Sequence, residues 1–285
     1  MSRIVLRPHG TPCGKRWRQC TNSLFRKLFF WGGGIKEKNK VTHADIKLVR
    51  SLADKRARTE TGLFVAEGAK LVEEICSSTL TINRIYCTGN PVAHPAAEQV
   101  STKEMERMSL LKTPTDVLAV VEIPKYRLDP SIFSRKLVLA LDDVQNPGNI
   151  GTIIRLADWF GIEDIICSEA TADCFNPKVV QATMGAILRV RVHYTDLTAT
   201  LKSAATAHTP VYGTFLEGEN IYSANLTRTG IILMGNEGRG VSDRNAQYVS
   251  RRLFIPPYPA TRHGSESLNV AIATAITCAE FRRRG

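Results

Sequence analysis

"KLVLALDDVQNPGNIGTIIRLADWFG", Lys136–Gly161, is the stretch that decides the fold. Lys136–Val144 is apolar almost without a break until two adjacent aspartates. Such a run marks a strand buried on both faces, as strands of parallel sheets are. Asn146-Pro147-Gly148 is a turn signature. Asn149 then stands where a helix cap is expected, and the helix runs to Gly161. Arg155 follows six residues later, about one and two-thirds turns on.

The same alternation continues toward the C-terminus. "EDIICSE", "LRVRVHY", "PVYGTF", "GIILMG" and "RRLFIPP" read as strands. "NPKVVQATMGA", with Pro177 in its first turn, "DLTATLKSAATAH" and "SLNVAIATAITCAEFRRR" read as helices. Strands alternating with helices predict an α/β fold, a parallel sheet covered on both faces. Ligands of such sheets bind beyond the carboxyl ends of the strands.

Toward the N-terminus a smaller α/β unit is expected over 41–123. It opens with the helix "THADIKLVRSLADK", capped by Thr42. Strands "GLFVAEG", "INRIYCTG" and "TDVLAVVEIP" alternate with helices "AKLVEEICSS" and "STKEMERMSLLKT". In the last of these Ser101 and Glu104 form a capping box. Residues 124–134, with two prolines and few apolar anchors, read as a linker, and 135–285 as the larger domain.

The chain has 285 residues, 43% hydrophobic and 23% charged, a globular composition with room for two domains. Its net charge of +11 is unevenly placed. Residues 1–40 hold ten Lys/Arg and one acid, Glu37, which leaves +2 for the rest. This basic segment reads as a disordered extension able to touch nucleic acid. A solvated tail, an import peptide and a mis-assigned start codon stay open beside that reading. Its apolar runs fall short of the ~20 residues of a membrane span, and Arg26 and Lys27 interrupt the one resembling a signal core. Seven cysteines, without a C-x-x-C or a Cys/His cluster, argue against a disulfide framework and a metal site and for a reducing compartment. A bacterial-type cytoplasm is expected, with the mitochondrial matrix as the alternative if the basic segment directs import.

Three loops at strand ends carry the chemistry. The first, Asp142–Arg155, offers Asn149 and Arg155; a capped helix with one surface arginine is the plain alternative. The second, "LMGNEGRGVS" (Leu233–Ser242), offers Gly235, Asn236, Glu237 and Gly238. Its glycines let backbone N–H groups approach a ligand, yet it matches neither a dinucleotide fingerprint nor a P-loop. The third, "HGSESLNVAIATAI" (His263–Ile276), places Ser267 at the start of the last helix and Asn269 between Leu268 and Val270. An asparagine buried there needs partners; a capping residue facing water is the alternative.

Together, Asn149…Arg155, Asn236-Glu237-Gly238 and Ser267-Leu268-Asn269-Val270 resemble the three motifs of the SpoU/TrmH family of SPOUT RNA methyltransferases, over about residues 41–284. The resemblance implies a parallel sheet whose C-terminal segment is threaded into a trefoil knot, an exception to the rule that chains avoid knots. It implies a ribosomal-protein-like RNA-binding module in the smaller unit, and a homodimer with Arg155 near the subunit interface. It implies transfer of a methyl group from S-adenosylmethionine to a ribose 2′-hydroxyl, in rRNA before tRNA, without a metal. Arg155, Asn149, Glu237, Ser267 and Asn269 would be catalytic. Thr214, Phe215, Leu216, Gly235, Asn236, Gly238, Ile255 and Leu268 would hold the cofactor. The loop "PPYPATRHGSE", carrying Arg262 and His263, departs from the family pattern. A non-catalytic RNA-binding or ribosome-assembly protein that keeps the fold is the competing reading, and a base-modifying enzyme a third.

Overall fold

The computed structural model describes residues 41–90, 92–259 and 267–283, and Lys40–Gly285 forms one compact unit. It is built on two sheets, one of four strands and one of six.

The first contains α1 (His43–Ser51), α2 (Lys55–Thr61), β1 (Leu63–Glu67), α3 (Ala69–Cys76), β2 (Ile82–Cys87), β3 (Ala97–Gln99), α4 (Thr102–Met108) and β4 (Val117–Glu122). Strand order is β1-β4-β2-β3, antiparallel except for the β2–β3 pair. Thr42 caps α1 and Ser101 caps α4, each through a complete capping box, as their sequences require. Helix α2 and strand β3 carry no apolar period and were not expected. Instead α2 is set by its ends: Asp54 caps its start and Gly62, at φ 68°, closes it in the left-handed conformation.

The second sheet is all parallel. Its elements are β5 (Leu137–Leu141), α5 (Pro147–Trp159), β6 (Asp164–Cys167), α6 (Pro177–Thr183), β7 (Arg191–Tyr194), α7 (Leu197–Thr206), β8 (Val211–Asn220), β9 (Gly230–Met234), α8 (Asp243–Ala246), β10 (Arg251–Phe254) and α9 (Val270–Arg283). Strand order is β10-β8-β9-β5-β6-β7. Strand β5 shows why its sequence is continuously apolar. Leu137, Leu139 and Leu141 face a core shared with α5 and α9, while Val138 and Ala140 face a core shared with α7. Each of the buried leucine and valine side chains contributes about 1.5–3 kcal/mol relative to exposure.

Several expectations need correction. "LRVRVHY" is not one strand: Ala186–Leu188 is a 3-10 turn, and only Arg191–Tyr194 pairs with β6. "PVYGTF" is the start of a longer strand, β8. The 124–134 segment is better anchored than its sequence suggests. Pro130–Ser134 forms a 3-10 turn that buries Phe133, with Leu128 and Ile132 packed beside it. The basic segment 1–40 and the loop residues Arg262 and His263 lie outside the described residues.

The seam between the two sheets is clamped by polar contacts. Arg58, 2% exposed, donates through Nε (2.8 Å) and Nη2 (2.6 Å) to Asp173 and through Nη1 to the carbonyls of Leu52 and Ala53. Phe175 packs against Phe64 with the rings tilted by 45° and their centroids 4.8 Å apart. Arg189 bridges Glu74 of α3 and Asp158 of α5.

Candidate active site at the carboxyl ends of the strands

The loops that follow β5 and β9 meet the start of α9 beyond the carboxyl edge of the six-stranded sheet. Helix α5 begins one turn earlier than its sequence was read. Asn146, not Asn149, is the cap: its Oδ1 accepts from the N–H groups of Gly148 (2.8 Å) and Asn149 (3.3 Å), with Pro147 at the first helical position. Asparagine before proline is itself a helix-start signal. The correction frees the Asn149 side chain for another task.

That task is to join the three loops. Asn149 Nδ2 donates to Glu237 Oε1 at 3.0 Å. Asn149 Oδ1 accepts from Asn269 Nδ2, also at 3.0 Å. Glu237 further accepts from the backbone N–H groups of Asn146 (3.0 Å) and Gln145 (3.2 Å). Partial desolvation pushes the Glu237 carboxyl up, but the Asn149 amide and these N–H groups outweigh it and hold the pKa below the usual value. Residues 88 and 120 positions apart thus form one hydrogen-bonded chain, Asn269–Asn149–Glu237.

The glycine-rich loop is a tight turn closed by paired Asn236–Gly240 backbone bonds of 2.9 Å. Asn236 Oδ1 accepts from Gly238 and Arg239, and its Nδ2 donates to the Asp143 carbonyl at 2.7 Å. Gly235 is fixed by packing, since a Cβ there would lie 2.1 Å from the Gly240 carbonyl carbon. Asp142, almost fully buried, anchors the far end of the loop by accepting from Ser242 N (2.8 Å) and Oγ (2.7 Å). Asp142, Asp143 and Ser242 escaped the sequence reading; the signal was the Asp-Asp pair ending a buried strand.

Helix α9 begins at Val270, so Ser267 does not cap it. Asn269 does: its Oδ1 accepts from Ala271 N (2.9 Å). Asn269 is also exposed, contrary to the expectation of a buried amide, because its position before the helix turns it toward the site rather than the core. Ser267 is exposed, with no hydrogen bond among the described residues. Arg155 is not drawn into the chain either. It lies on the exposed stripe of α5 with Thr152 and Trp159, without a hydrogen bond or ion pair among the described residues.

Beside this chain, β8 does something its sequence did not advertise. Gly213 pairs with Arg252 of β10 and Glu219 with Leu253, so Thr214–Gly218 lies outside the ladder. Within that excursion Leu216 is 65% exposed, and Arg252 stacks on Phe215 at 3.8 Å. Leu268 is 49% exposed and Ile255 is half-buried, and a Cβ at Gly238 would meet only the Asn236 side-chain oxygen, at 3.8 Å. Unladdered backbone groups next to exposed apolar side chains suit a nucleoside, which needs both. Among the described residues no three His, Cys, Asp or Glu are grouped to hold a metal, and no helix is long and apolar enough to cross a membrane.

Comparisons with known proteins point to one family. Residues 136–279 match the SpoU rRNA Methylase family, and residues 43–119 match the MRM3-like substrate binding domain. The chain is 29% identical over 255 residues to the 23S rRNA (guanosine(2553)-2′-O)-methyltransferase RlmP of Bacillus subtilis, covering 87% of this chain and all of that protein. A solved structure described as a proposed TrmH-family RNA methyltransferase from Porphyromonas gingivalis is 39% identical. It superposes with a TM-score of 0.78, covering 86% of this chain and 99% of that one. An S-adenosylmethionine-bound rRNA methyltransferase from Sinorhizobium meliloti is 29% identical with a TM-score of 0.75, covering 86% and 96%. With its parallel sheet, its three joined loops and a match spanning half of its length, the chain belongs to the SpoU rRNA methylase family.

Proposed function

We infer that this protein transfers a methyl group from S-adenosylmethionine to a ribose 2′-hydroxyl of rRNA. The observation that carries the reading is the Asn269–Asn149–Glu237 chain, which ties the three family motifs into one site. The relatives named above, one an rRNA 2′-O-methyltransferase and one holding S-adenosylmethionine, support it.

S-adenosylmethionine supplies an electrophilic methyl group on a sulfonium. The hydroxyl oxygen forms the new C–O bond as the C–S bond breaks, sulfur takes the electron pair, and the hydroxyl proton leaves to solvent. Thr214, Phe215 and Leu216 of the β8 excursion would hold the cofactor with Gly235, Asn236, Gly238, Ile255 and Leu268. The obstacle is the hydroxyl, a very weak acid. An arginine stays protonated in proteins, so Arg155 would stabilise the developing oxyanion rather than accept its proton. Asn149, Glu237, Ser267 and Asn269 would orient the ribose and the cofactor.

Arg155 stands apart from that chain on an exposed stripe, which fits a site completed in a homodimer. The C-terminal segment would carry the family's trefoil knot. Residues 41–123 would bind RNA, with 124–134 as the linker and 135–285 as the catalytic domain. A reducing compartment, cytoplasmic in bacterial fashion, suits the free thiols of Cys76, Cys87, Cys167, Cys174 and Cys278.

Incubation with methyl-labelled S-adenosylmethionine and transcribed 23S rRNA, followed by nucleoside digestion, tests the reading. A labelled 2′-O-methylnucleoside is expected. Label on a base, or S-adenosylmethionine that binds without any transfer, would overturn it.

A further inference from the structure

Asp143 is the residue that the chemistry above leaves unexplained. It follows β5 with φ 58°, a left-handed conformation that a residue with a side chain seldom adopts. Such strain persists only where surroundings over-determine it, and it clusters at functional sites. Here they do. Asp143 N–H donates to Ser168 Oγ (2.9 Å), Ser168 Oγ donates to Asp143 Oδ1 (2.6 Å), and the Asp143 carbonyl accepts from Asn236.

What this fixed carboxylate holds is a pair of arginines. Arg239 Nη2 lies 3.6 Å from Asp143 Oδ2, and Arg244 Nη2 lies 3.8 Å from Oδ1. Both distances exceed a hydrogen bond, and the side chains are 72% and 60% exposed. One negative charge gathers two positive ones, positions them loosely and leaves their donors facing solvent. Arg239 sits two residues from Glu237, inside the turn that bears it. Guanidinium forks match the oxygens of a phosphate.

We propose that Arg239 and Arg244, gathered by Asp143, form a phosphodiester-binding pair that seats the RNA backbone beside the target ribose. The pair is a binding element and Asp143 its positioning residue. The inference rests on the functional reading above and adds to it a site on the RNA side of the Glu237 turn.

The test is the salt dependence of binding to transcribed 23S rRNA by the full chain, with S-adenosylmethionine affinity measured on the same preparations. Each phosphate contact contributes about 0.7–0.9 to the slope of log K against log salt. Arg239→Ala and Arg244→Ala should each lower the slope by about that amount and the double variant by about twice as much. Arg239→Lys, which keeps the charge, should restore most of it, and S-adenosylmethionine affinity should stay within about twofold of wild type. Weakened RNA binding with an unchanged slope would overturn the phosphate contact. Lost S-adenosylmethionine binding in the alanine variants would overturn it too, by assigning the arginines to the cofactor or the turn. Wild-type protein that bound neither ligand would instead sink the functional reading beneath it.

Discussion

Two arginines, Arg58 at the seam between the sheets and Arg155 on α5, divide the molecule into two kinds of polar region. Arg58 is buried, its guanidinium bonded to one carboxylate and two carbonyls. Arg155 is exposed and has no such partner among the described residues. A buried guanidinium whose three nitrogens are all engaged has little capacity left for a ligand, so Arg58 holds structure. An exposed guanidinium keeps its donors open, the capacity that the proposed role of Arg155 needs. The same contrast separates the Asp173 clamp from the loop cluster, where Arg239 and Arg244 also keep donors open.

The largest effect should come from breaking the seam. Arg58→Ala leaves Asp173 without its buried partner, which typically costs about 3–5 kcal/mol. Urea denaturation measures it, and a loss below about 1 kcal/mol would mean that Arg58 does not hold the seam. Gly235→Ala probes the loop's one place of tight packing. Its Cβ would meet the Gly240 carbonyl carbon at 2.1 Å and Val241 N at 2.2 Å. Overpacking of that kind costs about 1–3 kcal/mol, and here it should also weaken S-adenosylmethionine binding, read by calorimetry. A variant with wild-type stability and affinity would show that the turn can open freely.

Glu237→Gln sharpens the comparison from the other side. The residue is exposed, so unfolding free energy should move by no more than about 0.5 kcal/mol. Methyl transfer should fall by up to about 10²-fold, because the loops lose their shared charged acceptor. An equal loss of stability and rate would make Glu237 a structural residue like Arg58.

The smallest effect is acid dependence. Burial pushes Asp164 up, but His193 and Arg191 outweigh it and hold its pKa well below the usual range. A carboxyl lowered on folding contributes stability above its unfolded pKa of about 3.9 and loses it as pH falls toward the folded value. Glu237 follows the same sign. Urea midpoints should therefore hold from pH 7 to 5 on account of these groups and fall below about pH 4. A midpoint that rose on acidification would contradict the assignment.

The fold was legible because β5 and β9 are apolar on both faces and the helix-start signals at Thr42, Ser101 and Pro177 are local. Less could be read where structure depends on distant partners. Helix α2 is polar throughout apart from Ala57, so periodicity is silent about it. Asn149 resembled a cap because nothing nearby reveals that its amide meets residues 88 and 120 positions away. Asn269 was misjudged as buried because its neighbours Leu268 and Val270 are apolar, although Leu268 is itself half exposed. The Thr214–Gly218 excursion is invisible without the β10 register. Motif resemblance singled out three loops; hydrogen bonding across the fold shows which of their side chains meet.

The central claim is that Arg155 acts on the reacting oxygen while the Asn269–Asn149–Glu237 chain shapes the site. Single-turnover methylation by Arg155→Ala, paired with S-adenosylmethionine titration, tests it most directly. The account predicts a rate loss of about 10²–10³, cofactor affinity within about twofold of wild type, and no rescue by Arg155→Lys. Near-normal turnover by Arg155→Ala would contradict it and return the competing reading, an RNA-binding protein that keeps the fold without the chemistry.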